Sequence, residues 1–193
     1  MTTPLPFTWP YLVVFWAVYV WVFIPEFRFM TRKPSSTEDR GSKYIVVLGF
    51  SVGSVAAFLI PFIAPNAILP GQPIVWFIAG LLTLVSGSLL RRHCFRVLGG
   101  FFTGAVTIQP NHRIVDAGAY RWLRHPSYTA ALLIALGIAL SLGNWLSVLV
   151  ILSFTFPAYA YRVHVEEQAL ISALGAPYVH FMASRKRFIP FIY

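Results

Sequence analysis

The chain has 193 residues, of which 58% are hydrophobic and only 11% are charged. This composition excludes an ordinary soluble domain and indicates that the lipid bilayer is the solvent for most of the chain. The net charge of +9 would suggest nucleic acid in a soluble protein, but here the basic residues lie between apolar stretches. We therefore expect these basic residues to set the orientation of the helices in the membrane, and we expect no nucleic-acid partner. The single cysteine, Cys94, excludes an internal disulfide.

Four apolar regions are long enough to cross a bilayer, whose hydrocarbon core of about 30 Å needs roughly 20 apolar residues in a helix. Three of them fit single helices: 7–27, 44–64 and 72–90. The fourth, 128–161, is too long for one helix and contains Leu142-Gly143-Asn144-Trp145, a sequence typical of a tight turn. The sequence thus predicts an all-α integral membrane protein with about five transmembrane helices, the last two forming a helical hairpin over 127–165.

Charge alternates between the connections. Basic residues of the first connection are Arg28, Arg32, Lys33, Arg40 and Lys43, and those of the third are Arg91, Arg92, Arg96, Arg113, Arg121 and Arg124. The second connection and the hairpin turn carry no charge. Because short loops rich in Lys and Arg stay in the cytoplasm, we expect a multi-pass protein with its N-terminus outside and its C-terminus inside. The first apolar run is too long for a signal-peptide core and should be retained.

We treat 1–193 as a single membrane domain, with three N-terminal spans in 1–90 and the polar chemistry in 91–193. The connection 91–124 is long and contains glycine, which is typical of functional loops. Its many apolar residues argue against disorder. Beyond Arg162 the last helix should continue as an amphipathic segment, with Gly175 and Pro177 as its stop signal.

Two of the six acidic residues, Glu166 and Glu167, lie where the last helix leaves the membrane. On a helix Arg162 and Glu166 share a face, whereas Glu167 points elsewhere. A surface ion pair worth about 0.3–0.5 kcal/mol, with Glu167 simply solvated, would explain this spacing. Ionisable groups near hydrocarbon are also candidates for function, so both interpretations stay open.

A basic and aromatic run from Arg121 to Tyr128 precedes the fourth span. Pro126 suits the first turn of a helix and biases His125 away from helical geometry, so this stretch should form a turn at the membrane interface. An interfacial anchor would explain its Arg, Trp and Tyr residues, but not His125-Pro126. His112, His125 and His164 raise the question of zinc. With one cysteine and no His-Glu-x-x-His motif we expect no metal site.

Residues 98–193 resemble the isoprenylcysteine carboxyl methyltransferase family, membrane-embedded enzymes related to phospholipid N-methyltransferases. The resemblance rests on the order and spacing of short motifs: Leu98-Gly99, His112-Arg113-Ile114-Val115, Gly118-Ala119-Tyr120, Arg124-His125-Pro126-Ser127-Tyr128, Asn144-Trp145, Arg162 with Glu166-Glu167, Leu170, Gly175, Tyr178 and Ile189-Pro190. The first half of the chain matches only in its apolar spans. Ala119 and Ala130 depart from the family's usual residues, and neither departure removes a charged group.

The resemblance implies an S-adenosylmethionine-dependent methyltransferase whose cytoplasmic cofactor-binding region is formed by the loop before the fourth span and the C-terminal segment. Implied cofactor contacts are His112, Arg113, Ile114, Val115, Tyr120, His125, Pro126, Ser127, Tyr128 and Glu166. Glu166 would hold the cofactor's ammonium group and Arg162 would bind the acceptor, and these two are the implied catalytic residues. The implied partners are the bilayer and a lipophilic or lipidated acceptor, such as an isoprenylcysteine carboxylate.

The residue types agree with this chemistry. S-adenosylmethionine carries an ammonium, a carboxylate and a sulfonium, for which Glu166, His112 or Arg124, and Tyr120, Tyr128 or Trp122 supply partners. A carboxylate acceptor needs no base, whereas an amine or hydroxyl acceptor would need one, with His125, His164 or Glu167 as candidates. Two alternatives are an NADPH-dependent reductase resembling the sterol reductases and a non-catalytic membrane subunit. The sequence predicts neither the acceptor's identity nor the oligomeric state.

Overall fold

A computed structural model describes residues 3–30, 39–102, 105–108 and 114–188, without the side chains of 27–30. Six α-helices follow one another in this part of the chain: α1 (Tyr11–Met30), α2 (Ser42–Ile63), α3 (Pro73–Leu98), α4 (Pro126–Ser141), α5 (Trp145–Leu174) and α6 (Ala176–Ser184). Short 3-10 turns occupy Leu5–Phe7, Gly99–Phe101 and Gly118–Arg121. Within these ranges β-structure is limited to two isolated bridges. The predicted all-α class is therefore confirmed.

Three helices in the described ranges are long and apolar enough to cross a membrane: α2, α3 together with the turn that follows it, and α5. The apolar parts of α1 (Tyr11–Glu26) and α4 are shorter. Many large apolar side chains on the outside of the bundle are exposed, such as those of Val55, Leu82 and Ile63, as expected for a surface that faces lipid. The total of five spans stays a prediction.

The predicted hairpin agrees with the two helices α4 and α5, which are joined by a short turn around Gly143. The Asn144 side chain caps α5 by accepting hydrogen bonds from the backbone N–H groups of Leu146 (3.0 Å) and Ser147 (3.2 Å), the role for which Asn is favoured. At the other end of α5, Gly175 adopts a positive φ of 61°. The stop signal predicted at this glycine is confirmed.

One predicted boundary was wrong. The third helix does not end at Leu90 but continues to Leu98, so the connection 91–124 begins as helix. The physical reason is that neither Gly nor Pro occurs between Leu90 and Gly99. Arg91 and Arg92 therefore project from α3 rather than from a loop, and the guanidinium of Arg91 reaches Glu26 on α1.

The uncharged connections meet at one end of the bundle. There the Trp145 N–H donates to the Ala67 carbonyl and the Leu69 N–H donates to the Gly143 carbonyl, both at 2.9 Å. The charged connections lie at the opposite end, where Arg162 pairs with Asp39. This grouping matches the charge alternation in the sequence. Which end faces the cytoplasm stays a prediction.

Helices α3 and α4 form the most extensive helix pair of the described structure, and glycines make their close approach possible. A methyl group added at Gly137 would lie 2.5 Å from the backbone nitrogen of Leu84 and 2.7 Å from its Cα. Added methyl groups at Gly80 and Gly87 would likewise lie within 3 Å of backbone atoms of α4. Small residues at such contacts are the usual means of close packing between membrane helices.

We predict that Gly137→Ala destabilises the protein, because the added methyl group would push α4 away from α3. Overpacking of this kind costs about 1–3 kcal/mol. Thermal unfolding in detergent should show a lower midpoint for Gly137→Ala. Gly100→Ala is the matched control, because none of the described residues has an atom within 4 Å of its added methyl group. Equal midpoints for both variants would contradict this account of the α3–α4 contact.

Candidate active site

The segment before α4 has its shape fixed by Gly118. This residue adopts a positive φ of 56°, and a Cβ there would run into the imidazole of His93 on α3. Only glycine satisfies both conditions without strain. The 3-10 turn that follows buries the Tyr120 side chain, and α4 then begins at Pro126 as the sequence predicts.

The end of the described chain holds this segment in place. Arg124 N–H donates to the Lys186 carbonyl at 2.8 Å, and His125 N–H donates to the Arg187 carbonyl at 3.2 Å. The Thr129 hydroxyl donates to the Phe188 carbonyl at 2.7 Å. Residues 185–188 therefore act as a strap across the start of α4.

Glu167 is the centre of a buried ionic cluster. Its carboxylate lies 2.8 Å from a guanidinium nitrogen of Arg124, 3.2 Å from Nε2 of His125 and 3.0 Å from a guanidinium nitrogen of Arg187. The simple solvation of Glu167 that the sequence left open is wrong, because the strap and the pre-α4 turn converge on this side chain. His125 is thereby fixed in orientation.

Tyr128 connects the two side chains that share a face of α5. Its hydroxyl donates to Glu166 Oε2 at 2.5 Å and accepts from Arg162 Nε at 3.1 Å. Arg162 is buried, with 6% of its surface exposed, whereas the Glu166 side chain is 30% exposed. The interpretation of Arg162 and Glu166 as a plain surface pair is wrong, because Arg162 is buried and the Tyr128 hydroxyl bridges the two side chains.

Arg162 is paired with an acid that the sequence analysis missed. Asp39 lies just before α2, and its Oδ1 accepts from Arg162 Nη1 at 2.5 Å. Burial alone would raise the pKa of Asp39. Hydrogen bonds from the backbone N–H groups of Lys43 and Val106, together with the Arg162 charge, more than offset burial and lower that pKa. Asp39 is therefore ionised near neutral pH.

A loop-side pocket of about 860 Å³, including its open mouth, lies beside Tyr128. Its walls come from the stretches 98–102, 105–108, 114–115 and 120–128, from α5 and from α6. Predicted site residues that line it are Ile114, Val115, Tyr120, His125, Ser127, Tyr128, Arg162 and Glu166. Lining residues that received no role from the sequence include Phe101, Phe102, Ala105, Leu170, Tyr178 and Phe181. The roles implied for the predicted residues stay predictions.

Some predicted residues lie elsewhere. Pro126 is buried at the first position of α4 and is not part of the pocket lining. Trp122 is 62% exposed and His164 is also exposed, and neither lines the pocket. His112 and Arg113 lie outside the described residues. In the described ranges no three His, Cys, Asp or Glu side chains are grouped as metal ligands.

Tyr120 contributes a polar group to this pocket. Its buried hydroxyl lies near Ser127 and Cys94 but makes no hydrogen bond of normal geometry within the described residues. Burial raises the pKa of Tyr120, so the hydroxyl stays protonated and can donate. Tyr120 therefore adds a hydrogen-bonding group to a pocket wall that is otherwise rich in apolar side chains.

An interhelical pocket of about 920 Å³, including its mouth, lies on the other side of Tyr128. Apolar side chains from α1, α2 and α4 form most of its wall: Phe23, Val46, Val47, Phe50, Ala131 and Ile134. Its polar end carries Glu26, Lys43, Arg91, Tyr159 and Arg162. Arg91 binds Glu26 through two nitrogens and donates to the Ser127 carbonyl at 2.8 Å. Glu26 and Arg91 were not predicted as site residues, although an acid within a predicted span is a usable signal.

Phe102, Tyr128 and Arg162 line both pockets. These three shared residues, which we call the shared wall, make the two pockets neighbours: one has charged and polar groups and the other is mostly apolar. Two ligands of different polarity could thus meet across this wall.

The model of the isoprenylcysteine carboxyl methyltransferase (ICMT) family matches residues 79–172. Protein-S-isoprenylcysteine O-methyltransferase B of Arabidopsis thaliana is 28% identical over 138 residues, which cover 69% of this chain and 70% of that protein. Protein-S-isoprenylcysteine O-methyltransferase of Saccharomyces cerevisiae is 31% identical over 117 residues, 60% of this chain and 49% of that protein.

The fold is also similar to a solved structure, that of the eukaryotic intramembrane Ras methyltransferase ICMT. The TM-score is 0.59 at 23% identity, and the match covers 79% of this chain and 54% of that one. The chain thus spans about half the length of the yeast relative and of the solved structure. The comparisons confirm the resemblance found in the sequence: residues 79–172 match the isoprenylcysteine carboxyl methyltransferase family.

Proposed function

We propose that this protein is an integral membrane methyltransferase that uses S-adenosylmethionine to methylate the carboxylate of a lipophilic acceptor, such as an isoprenylcysteine. The observation that carries the proposal is the shared wall. The loop-side pocket would hold the cofactor and the interhelical pocket the acceptor, with Phe102, Tyr128 and Arg162 between them. The family match supports methyl transfer rather than reduction, and no described feature favours the reductase alternative.

The residues of the loop-side pocket fit S-adenosylmethionine. Glu166 is a partly exposed carboxylate suited to the ammonium group, and the guanidinium of Arg124 has further N–H donors suited to the carboxylate. The unsatisfied Tyr120 hydroxyl offers a further hydrogen bond. Aromatic side chains, including Tyr128 and Phe102, provide a wall that tolerates positive charge. When bound, this cofactor supplies a methyl group attached to a positively charged sulfur. Transfer of the methyl group leaves a neutral thioether, so no acid is needed to protonate the leaving group.

The chain's own task is then to position the acceptor and exclude water. A carboxylate is nucleophilic when ionised, so no base is required. Arg162 lines the interhelical pocket, as do the cations Lys43 and Arg91, and these charges would draw an anionic group to the polar end of an apolar cavity. Glu167 would not serve as a base, because Arg124, His125 and Arg187 already engage it.

The proposed location of both sites is the cytoplasmic end of the bundle. The charged connections lie at that end, and the positive-inside rule assigns it to the cytoplasm. The N-terminus would then be outside. The acceptor would enter from the bilayer, and the cofactor from water.

Methyl transfer can be measured with purified protein in lipid nanodiscs, methyl-labelled S-adenosylmethionine and a farnesylated cysteine. We expect label in the organic phase as a base-labile methyl ester. The same compound with its carboxylate converted to an amide should gain no label, and neither should cysteine without the farnesyl chain. No transfer to the free carboxylate, or equal transfer to the amide, would contradict carboxyl methylation.

Glu166→Gln should weaken S-adenosylmethionine binding, because the variant removes the negative charge proposed to hold the ammonium group. A charged hydrogen bond of about 1.5–3 kcal/mol corresponds to a loss of at least about tenfold in affinity. Calorimetry with the purified variants provides the measurement. Asp116→Asn is the control, since Asp116 pairs with Arg185 near the surface and lines neither pocket. An unchanged affinity in Glu166→Gln would return Glu166 to a structural role.

A further inference from the structure

We propose that Asp39 is a positioning residue that holds the walls of the two pockets together without contacting either substrate. This inference rests on the proposed function, because it concerns how the two sites are aligned. Asp39 is buried, with 7% of its surface exposed. It lines neither the loop-side nor the interhelical pocket.

The contacts of Asp39 reach both pockets. Oδ1 accepts from the backbone N–H of Val106 at 2.8 Å, and Val106 lines the loop-side pocket. Oδ2 accepts from the backbone N–H of Lys43 at 2.9 Å, and Lys43 lines the interhelical pocket. The same Oδ1 binds Arg162, which lines both. The Asp39 carboxylate thus contacts one residue of the loop-side pocket, Val106, one residue of the interhelical pocket, Lys43, and one residue that lines both, Arg162.

Ser42 reinforces this arrangement. Its buried hydroxyl donates to Asp39 Oδ1 at 3.0 Å and accepts from Arg162 Nη1 at 3.0 Å. The guanidinium of Arg162 is therefore held on its Nη1 side by Asp39 and Ser42 and on its Nε side by Tyr128. Such bracketing leaves the planar group one orientation at the wall.

The chemical consequence follows from how steeply methyl transfer depends on alignment. Reacting atoms must lie about 3–3.5 Å apart, and a misplacement of about 1 Å can cost about 100-fold in rate. Asp39 joins three separate parts of the chain: the start of α2, the segment 105–108 and α5. Loss of the Asp39 charge would weaken its contact with Arg162. Loss of both oxygens would also remove the hydrogen bond to Val106, a residue of the loop-side pocket.

Two substitutions separate these effects. Asp39→Asn keeps an oxygen that can accept from Val106 but removes the charge that faces Arg162. We expect the kcat for the farnesylated cysteine to fall, because a misplaced Arg162 misaligns the carboxylate with the methyl group. Its KM should rise about tenfold, equivalent to about 1.4 kcal/mol, with the Kd for S-adenosylmethionine within about twofold of wild type. Asp39→Ala removes both oxygens, so the KM and the Kd should both rise.

A milder variant protects the test against misfolding. Ser42→Ala keeps Asp39 and removes only one hydroxyl, so it should fold and should raise the acceptor KM by a smaller factor than Asp39→Asn. Asp116→Asn is the control with an equal loss of charge, and both of its constants should equal those of wild type. Thermal unfolding midpoints of all four variants are recorded alongside the kinetics.

A lowered unfolding midpoint with wild-type KM and Kd in Asp39→Asn and Ser42→Ala would overturn the inference and leave Asp39 a purely structural residue. A raised KM with an unchanged Kd in Asp39→Ala would overturn the link to the loop-side pocket. If wild-type protein transfers no methyl group to the farnesylated cysteine, the proposed function itself fails. That result is distinguishable, because it does not depend on any Asp39 variant.

Discussion

The site depends on the cost of placing charged groups beside hydrocarbon. An unpaired charge in such a place is expensive, and removing one partner of a buried pair costs about 3–5 kcal/mol. Every acid in the described part of the chain has a polar partner: Glu26 with Arg91, Asp39 with Arg162, Asp116 with Arg185, Glu166 with Tyr128, and Glu167 with Arg124 and Arg187. These pairs fix the positions of helices and connections relative to one another, which non-directional apolar packing alone would not do.

The pairing also divides the charged end of the bundle into two compartments. Glu26 and Arg91 close one side of the interhelical pocket, and the Glu167 cluster fixes the turn that lines the loop-side pocket. Tyr128 lies between them, with its hydroxyl shared by Glu166 and Arg162. A protein that brings a water-soluble methyl donor to a membrane-bound acceptor needs such a partition, because the polar donor and the apolar acceptor bind in pockets of different polarity.

Much of the fold could be predicted because its determinants are local in the sequence. Apolar length indicated the helices, the turn Leu142-Gly143-Asn144-Trp145 and Gly175 indicated the ends of α5, and the alternation of charge predicted which connections lie together. The end of the third helix was misplaced for an equally local reason. Arg91 and Arg92 suggested the start of a loop, but arginine is a good helix former and the helix continues until Gly99.

The site could be predicted only in part. The resemblance named Tyr128, Arg162 and Glu166, and the structure brings these three side chains together. The partner of Arg162 could not be found this way, since Asp39 lies 123 residues away and their contact depends on how α2 packs against α5. The environment of Glu167 depends on the strap 185–188, an irregular segment with no periodicity to reveal where it docks. The resemblance supplied residue roles, but the wall between two pockets is a property of the folded chain.

The central claim is that donor and acceptor meet across the wall formed by Phe102, Tyr128 and Arg162. The most direct measurement is an experimental structure of the protein with S-adenosylhomocysteine and a farnesylated cysteine bound together. The account predicts the homocysteine sulfur in the loop-side pocket and the acceptor carboxylate at the polar end of the interhelical pocket, on opposite sides of Tyr128 and Arg162. Both ligands in one pocket, or a farnesyl chain bound outside the interhelical pocket, would contradict it.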